Sequence, residues 1–207
     1  MATKNNNLLP VASVAELEKL DALKYLTGMP RSYRFNAKSG TLMIVSMSGT
    51  EAVTKKGASV ELLHIGHRIF SGEILNYSRR KWLELFFVNR AGQVGSFMVH
   101  GSSVENFEQL RGELFYSEAT TEEIALTLTP VLRKGKKGDY YVAEFSYEVL
   151  SSDEKERRDA IINTLDGELY RDESARWEVD VVATFNVAQP YRLNGDEPAA
   201  LPEATEA

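Results

Sequence analysis

Apolar residues recur along this chain with two different periods. Val14, Leu17, Leu20 and Leu23 follow helical spacing, opened by Ser13 and Glu16 in capping-box order and closed by Gly28 and Pro30. The same Ser-x-x-Glu opening recurs at Ser102/Glu105, ahead of Val104, Phe107, Leu110 and Leu114. It recurs again at Ser151/Glu154, ahead of Ala160, Ile161, Ile162 and Leu165. The spacing predicts helices near 13–27, 103–116 and 152–165. Between them the period falls to two, the spacing of half-buried strands. Strands are expected at Leu42–Val45, at Glu61–Tyr77 with a bend at Gly66 or Gly72, and at Lys81–Asn89. Further strands are expected at Val94–His100, Ile124–Leu132, Tyr140–Leu150 and Trp177–Val187. Asn89-Arg90-Ala91-Gly92 reads as a hairpin turn, and Arg133 to Asp139 as a basic hairpin loop.

Alternation also sorts each strand into two faces. Leu63, Ile65 and Ile69 are expected in the core, with His64, Gly66, Arg68 and Phe70 opposite. Leu83, Leu85 and Phe87 point inward, leaving Trp82, Glu84, Phe86 and Val88 outward. Ile124, Leu126 and Leu128 point inward; so do Tyr141, Ala143, Phe145, Tyr147 and Val149, with Tyr140, Val142 and Glu144 on the other side. The outer set thus mixes cations with Phe70, Trp82, Phe86 and Tyr140. Such a set suits a single-strand binder, because bases stack on aromatic faces and phosphates need nearby cations. Packing beneath a helix is the competing fate of each ring.

Composition bounds the class. The chain has 207 residues, 43% of them apolar and 26% charged, as in a globular protein. It has no cysteine, which removes disulfides, thiolate metal sites and a thiol nucleophile. No apolar run is long enough for a membrane-spanning helix, and Met1–Pro10 has no signal-peptide core. A cytoplasmic location, in a bacterium or a phage-infected host, is the expectation.

The net charge of -6 conceals a segregation. Residues 31–81 hold nine cations (Arg31, Arg34, Lys38, Lys55, Lys56, Arg68, Arg79, Arg80, Lys81) against three carboxylates. Arg79-Arg80-Lys81 stands beside Trp82, suited to phosphate contact and cation–π stacking. Arg133, Lys134, Lys136 and Lys137 form a second cluster. Residues 194–207 carry Asp196, Glu197, Glu203 and Glu206 and no cation, in a composition typical of disordered tails.

A strand meander, a helix and a closing hairpin resemble the OB-fold, a partly open barrel of five strands with a helix between the third and fourth. The resemblance implies a mainly β protein with added helices (α+β). Its parts would be a flexible leader over 1–12, a globular domain over 13–193, and a disordered acidic tail over 194–207. Within the domain, 41–150 would be the OB-like core and 151–193 a helix–strand extension; helical additions flank the core on both sides. OB core, basic groove and acidic tail together resemble the single-stranded DNA-binding proteins of bacteria and their phages. That likeness implies sequence-tolerant binding of single-stranded DNA, or RNA, in replication or recombination. Arg68, Arg79, Arg80, Lys81, Arg133, Lys134, Lys136 and Lys137 would hold phosphates, and Phe70, Trp82, Phe86 and Tyr140 would stack bases. Asp196, Glu197, Glu203 and Glu206 would recruit replication or recombination proteins or compete with DNA, although this tail ends Glu-Ala where the family has an apolar tip. A homo-oligomer fits the same picture.

Two other classes compete. One is a phage or mobile-element assembly protein that binds no nucleic acid. The other is a small carboxylate-based enzyme using Glu73, Glu84 or Glu144. No nucleophile elbow or zinc-protease motif is present, and no catalytic residue, metal site or cofactor is expected. His64 and His67, three apart on a strand, would face opposite ways unless a bulge at Gly66 turned them together.

Overall fold

The computed structural model describes residues 30–74, 76–88, 93–121, 123–136, 138–164 and 179–185. The expected first helix, the Asn89–Gly92 turn, Lys137 and the 194–207 tail lie outside the described residues. The strands are β1 (Arg31–Asn36), β2 (Thr41–Ser46), β3 (Gly49–Ala52), β4 (Val60–Gly72), β5 (Arg80–Val88) and β6 (Val94–His100). Helix α1 (Ser102–Tyr116) follows, then β7 (Ile124–Gly135), β8 (Gly138–Val149), helix α2 (Ser152–Thr164) and β9 (Val179–Phe185). They build one mainly β sheet, an open, curled half-barrel, in the order β3-β2-β1-β6-β5-β4-β7-β8. β9 pairs with β4 off this path.

Strand β4 organises the sheet. Val60–Leu62 pair with β7, Leu63–Gly72 with β5, and His67–Gly72 with β9. Between His64 and Gly66 its register against β5 shifts by one residue. A bulge inserts one residue and so exchanges the two faces of the strand. Val60 and Leu62 therefore join the main core before the bulge, and Ile69 joins it after. Leu63, Ile65 and Ile69 are all buried, as expected, but the bulge leaves Leu63 and Ile65 outside the main cluster that Ile69 joins.

The main core lies between the sheet and α1. Leu83, Leu85 and Phe87 of β5 meet Val104, Phe107, Leu110 and Leu114 of α1 and Leu126, Leu128 and Ala143 of the β7–β8 hairpin. Burying one such side chain contributes about 1.5–3 kcal/mol.

The half-barrel stays open at β8 because other groups satisfy that strand's free edge. Tyr141 N–H donates to Ala37 O in the β1–β2 turn at 2.6 Å. Ala143 N–H donates to Ser103 Oγ at 3.0 Å, and Ala143 O accepts from Asn106 Nδ2 at 2.8 Å. Buried backbone groups need such partners, and a covered edge recruits no further strand. Gly40 makes the first contact feasible. Its φ is +61°, and a Cβ there would sit 2.6 Å from the Tyr141 ring.

The two downstream capping boxes fare differently. At α2, Glu154 Oε2 accepts from Ser151 N at 2.9 Å and from Ser151 Oγ at 2.8 Å, as the sequence predicts. At α1 the cap is Gly101, with no side-chain bond, and Ser103 is spent on β8. Strands β1 and β3 are additions to the expected set. β3 is exposed at all four residues, so it has no hydrophobic pattern to read.

Candidate nucleic-acid interface

The β7–β8 hairpin is long, and its tip projects. Among the described residues, its outermost hydrogen bonds to other elements are the Ser59–Thr129 hydroxyl contact at 3.0 Å and the Tyr141–Ala37 bond. Beyond Leu132 and Tyr141 it continues through Arg133↔Tyr140, Lys134↔Asp139 and Gly135↔Gly138, an overhang of about 10 Å. Every described residue from Leu132 to Tyr140 is exposed. Arg133, Lys134 and Lys136 bring positive charge there, next to Tyr140 at 39% exposure and Leu132 at 52%. Arg133 is held across the hairpin by Glu144.

The second cluster forms one wall of a cleft of about 340 Å³. Arg79, Arg80 and Lys81, at the start of β5, face Gly101, Val104, Glu105 and Glu108 at the start of α1, with His100 also in the lining. The Arg80 guanidinium lies 4.3 Å from the centre of the Tyr77 ring, and Lys81 Nζ is 2.9 Å from Glu108 Oε1. His100 packs edge-on against Trp82 at 4.9 Å and beside Tyr77 at 5.3 Å. Burial, and then the Arg80 charge, hold its pKa below the ordinary histidine value. Tyr77 and His100 were not singled out in the sequence. The hairpin register was the available signal, because pairing Val88 with Val94 sets His100 opposite Trp82.

The remaining residues of the expected groove are not on a surface. Arg68 is 3% exposed; its Nε donates to Glu84 Oε2 at 2.7 Å, and its guanidinium lies over Phe70 at 4.9 Å. Phe70 and Trp82 are buried with Ile74, and Phe86 is fully buried. Both faces of β5 are therefore interior over most of its length. The outward stacking role expected of Phe70, Trp82 and Phe86, and the phosphate role of Arg68, do not fit this burial. Alternation told the two faces apart without telling which one meets solvent.

The two basic clusters lie on different elements that meet through the start of α1: Ala143, three residues along β8 from Tyr140, is bonded to Ser103, two residues from Gly101 in the cleft. Arg80 pairs with Gly72 at one end of β4, while Val60 at the other end pairs with Leu128. Arg133 lies five residues further along β7. Twelve steps along β4 and five along β7 make a contour of about 56 Å, but the Ala143–Ser103 contact closes the curl and brings the hairpin tip within about 30 Å of the cleft.

The bulge does turn His64 and His67 to one side. Their rings stack at 5.3 Å, with His67 Nδ1 3.3 Å from His64 Nε2. Burial, and then the charge of Arg158, push His64 down to about 3. Burial, then His64 and Arg111, push His67 down to about 2. Both imidazoles are neutral at pH 7. Among the described residues no three His, Cys, Asp or Glu side chains gather to hold a metal ion. No helix among the described residues is long and apolar enough to cross a membrane. Comparison of the chain with protein-family models, with curated proteins and with solved structures gives no match.

Proposed function

We propose that this protein binds single-stranded nucleic acid without strong sequence preference, through the rim of an OB-like half-barrel. The projecting β7–β8 tip carries the reading: exposed cations stand beside an exposed tyrosine on a stiff two-stranded arm. Phosphates need the former and bases stack on the latter. The element order supports an OB-like core. β4, β5 and β6 form the meander, α1 comes between its third and fourth strands, and the β7–β8 hairpin returns to β4. This core is shorter than the expected 41–150, because β2 and β3 fall within that span but ahead of the meander; β1 precedes them, and α2 and β9 follow the hairpin. The Arg79–Lys81 cleft supplies a second set of phosphate contacts. Asp196, Glu197, Glu203 and Glu206 would serve partner recruitment or competition with the strand in replication or recombination.

Titrating oligo-dT by fluorescence anisotropy at two salt concentrations tests this. The expected result is tight binding at low salt, weakening with a log–log slope of about 0.7 per phosphate contacted. Folded protein that binds nothing at low salt refutes it.

A second reading, an assembly protein, is favoured by one observation. Phe115 and Tyr116 end α1 as an exposed, edge-to-face aromatic pair at 5.5 Å. It predicts a defined oligomer by light scattering, unchanged by oligonucleotide and dispersed by Phe115→Ser.

A further inference from the structure

We propose that the cleft between the start of β5 and the start of α1 is a subsite for a phosphomonoester, the terminal phosphate of a bound strand. The proposal rests on the single-strand reading above and adds the recognition of an end. The cleft carries charge of both signs: Arg79, Arg80 and Lys81 come from the start of β5, Glu105 and Glu108 from α1, and Lys81 pairs with Glu108 across it. A strand running through would carry its onward phosphates past both carboxylates, where like charges repel. A terminal phosphate escapes that cost, because no chain continues beyond it. It also carries about 1.5 to 2 negative charges at neutral pH, against one for an internal diester, so it gains more from the cationic wall.

The cationic wall is already ordered. Arg80 is stacked on Tyr77 and donates to Ser78 O at 3.2 Å, and Lys81 is held by Glu108. Side chains fixed before binding lose less freedom when a ligand arrives. His100, wedged against Trp82 and Tyr77, adds an imidazole at the same cleft. Burial and then Arg80 hold its pKa below the ordinary value, and a phosphate dianion would draw it back toward its protonated form. The volume of about 340 Å³ lies at the small end of ligand clefts, in keeping with an end group.

The test compares oligo-dT of one length with a 5′-phosphate, a 3′-phosphate or no terminal phosphate, by anisotropy on the full chain. Arg80→Gln and Lys81→Gln are run beside the native protein, with thermal melts to establish folding. One phosphorylated end should bind about two- to fivefold tighter than the bare oligonucleotide, the scale of one or two exposed ion pairs. Each substitution should erase that preference, and the His100 imidazole resonances should titrate at higher pH when the phosphorylated end is bound. Equal affinity for all three oligonucleotides overturns the proposal, as does a preference that survives both substitutions. Inorganic phosphate and thymidine monophosphate separate this from the parent reading. If no oligonucleotide binds but either compound moves the His100 signal in the native protein and not in Arg80→Gln, the strand reading falls and the phosphate site stands. If nothing moves His100, the site falls.

Discussion

Acid should unfold this protein through His64 and His67. The β4 bulge sends both imidazoles inward, each 2% exposed, with His67 edge-on to Phe107 of α1 at 5.0 Å. The charged groups acting on them are Arg158 from α2 and Arg111 from α1, and both disfavour a further proton. Their folded pKa values, about 3 and about 2, lie below the unfolded value of 6.5. Between those limits the unfolded chain binds more protons than the folded one. Stability is therefore complete above pH 6.5 and falls as the pH drops toward 3. Each histidine costs up to about 1.4 kcal/mol per pH unit. From pH 7 to pH 5 the pair should remove about 4 kcal/mol, a large share of the ~5–15 kcal/mol that holds a typical domain together. Urea melts followed by tryptophan fluorescence at pH 7, 6 and 5 would show the midpoint falling steadily. A His64→Gln/His67→Gln variant should start lower at pH 7 and respond much less to acid, with half-buried His100 contributing in the same direction. An unchanged midpoint from pH 7 to 5, or an equally steep fall in the double variant, refutes the reasoning.

Other expectations follow from single contacts. Glu84→Gln leaves the Arg68 charge buried without its carboxylate and should cost about 3–5 kcal/mol in chemical unfolding. The Arg68→Met/Glu84→Leu pair should recover most of that loss. Gly40→Val places a β-branched side chain at φ +61° and against the Tyr141 ring. A loss of at least about 1–3 kcal/mol is expected from the strain alone, so Tyr141→Ala should relieve only part of it. Lys134→Glu with Lys136→Glu should lower the salt slope of oligonucleotide binding by about 1.4, two phosphates at 0.7 each, with no change in melting temperature because both are exposed.

The sequence signals that proved sound were those whose physics is local. β6 begins and ends at Val94 and His100 as expected, and α2 starts after Ser151 because its capping box is complete within four residues. Signals that depended on tertiary context failed or were absent. β1 and β3 are strands through their neighbours: β1 lies parallel to β6, and β3 is an exposed edge on β2. β4 was expected to run to Tyr77 but stops at Gly72. Gly66 marks the bulge in the sequence, but which face of the strand it turns toward α1 is set only by the register against β5. The candidate site divides in the same way. Cation clusters are visible because charge seldom hides, and Arg79–Lys81 and Arg133–Lys136 are at the surface. Arg68 hides because Glu84 sits beside it across the ladder, a pairing that only register reveals.

Register also decides whether one strand can serve both clusters. With Phe70, Trp82 and Phe86 buried, no aromatic path along β4 and β5 joins them, and each must bind on its own account. The distance to be bridged is about 30 Å, the route from the tip along β8 to Ala143 and through Ser103 to the cleft. A strand at stacked spacing of ~3.4 Å per phosphate covers that in about nine nucleotides. An oligonucleotide of six should then occupy one cluster at a time, while one of twenty can reach both and gain from the second contact being intramolecular. Affinity should accordingly climb in a step between those lengths, and Lys134→Glu/Lys136→Glu should remove the step. Because the clusters are separate, the same substitutions should affect the six-mer by no more than about twofold, the share of sites lost. A smooth rise in proportion to length, in native and variant protein alike, would mean that a single continuous groove binds the strand and that the register argument is wrong.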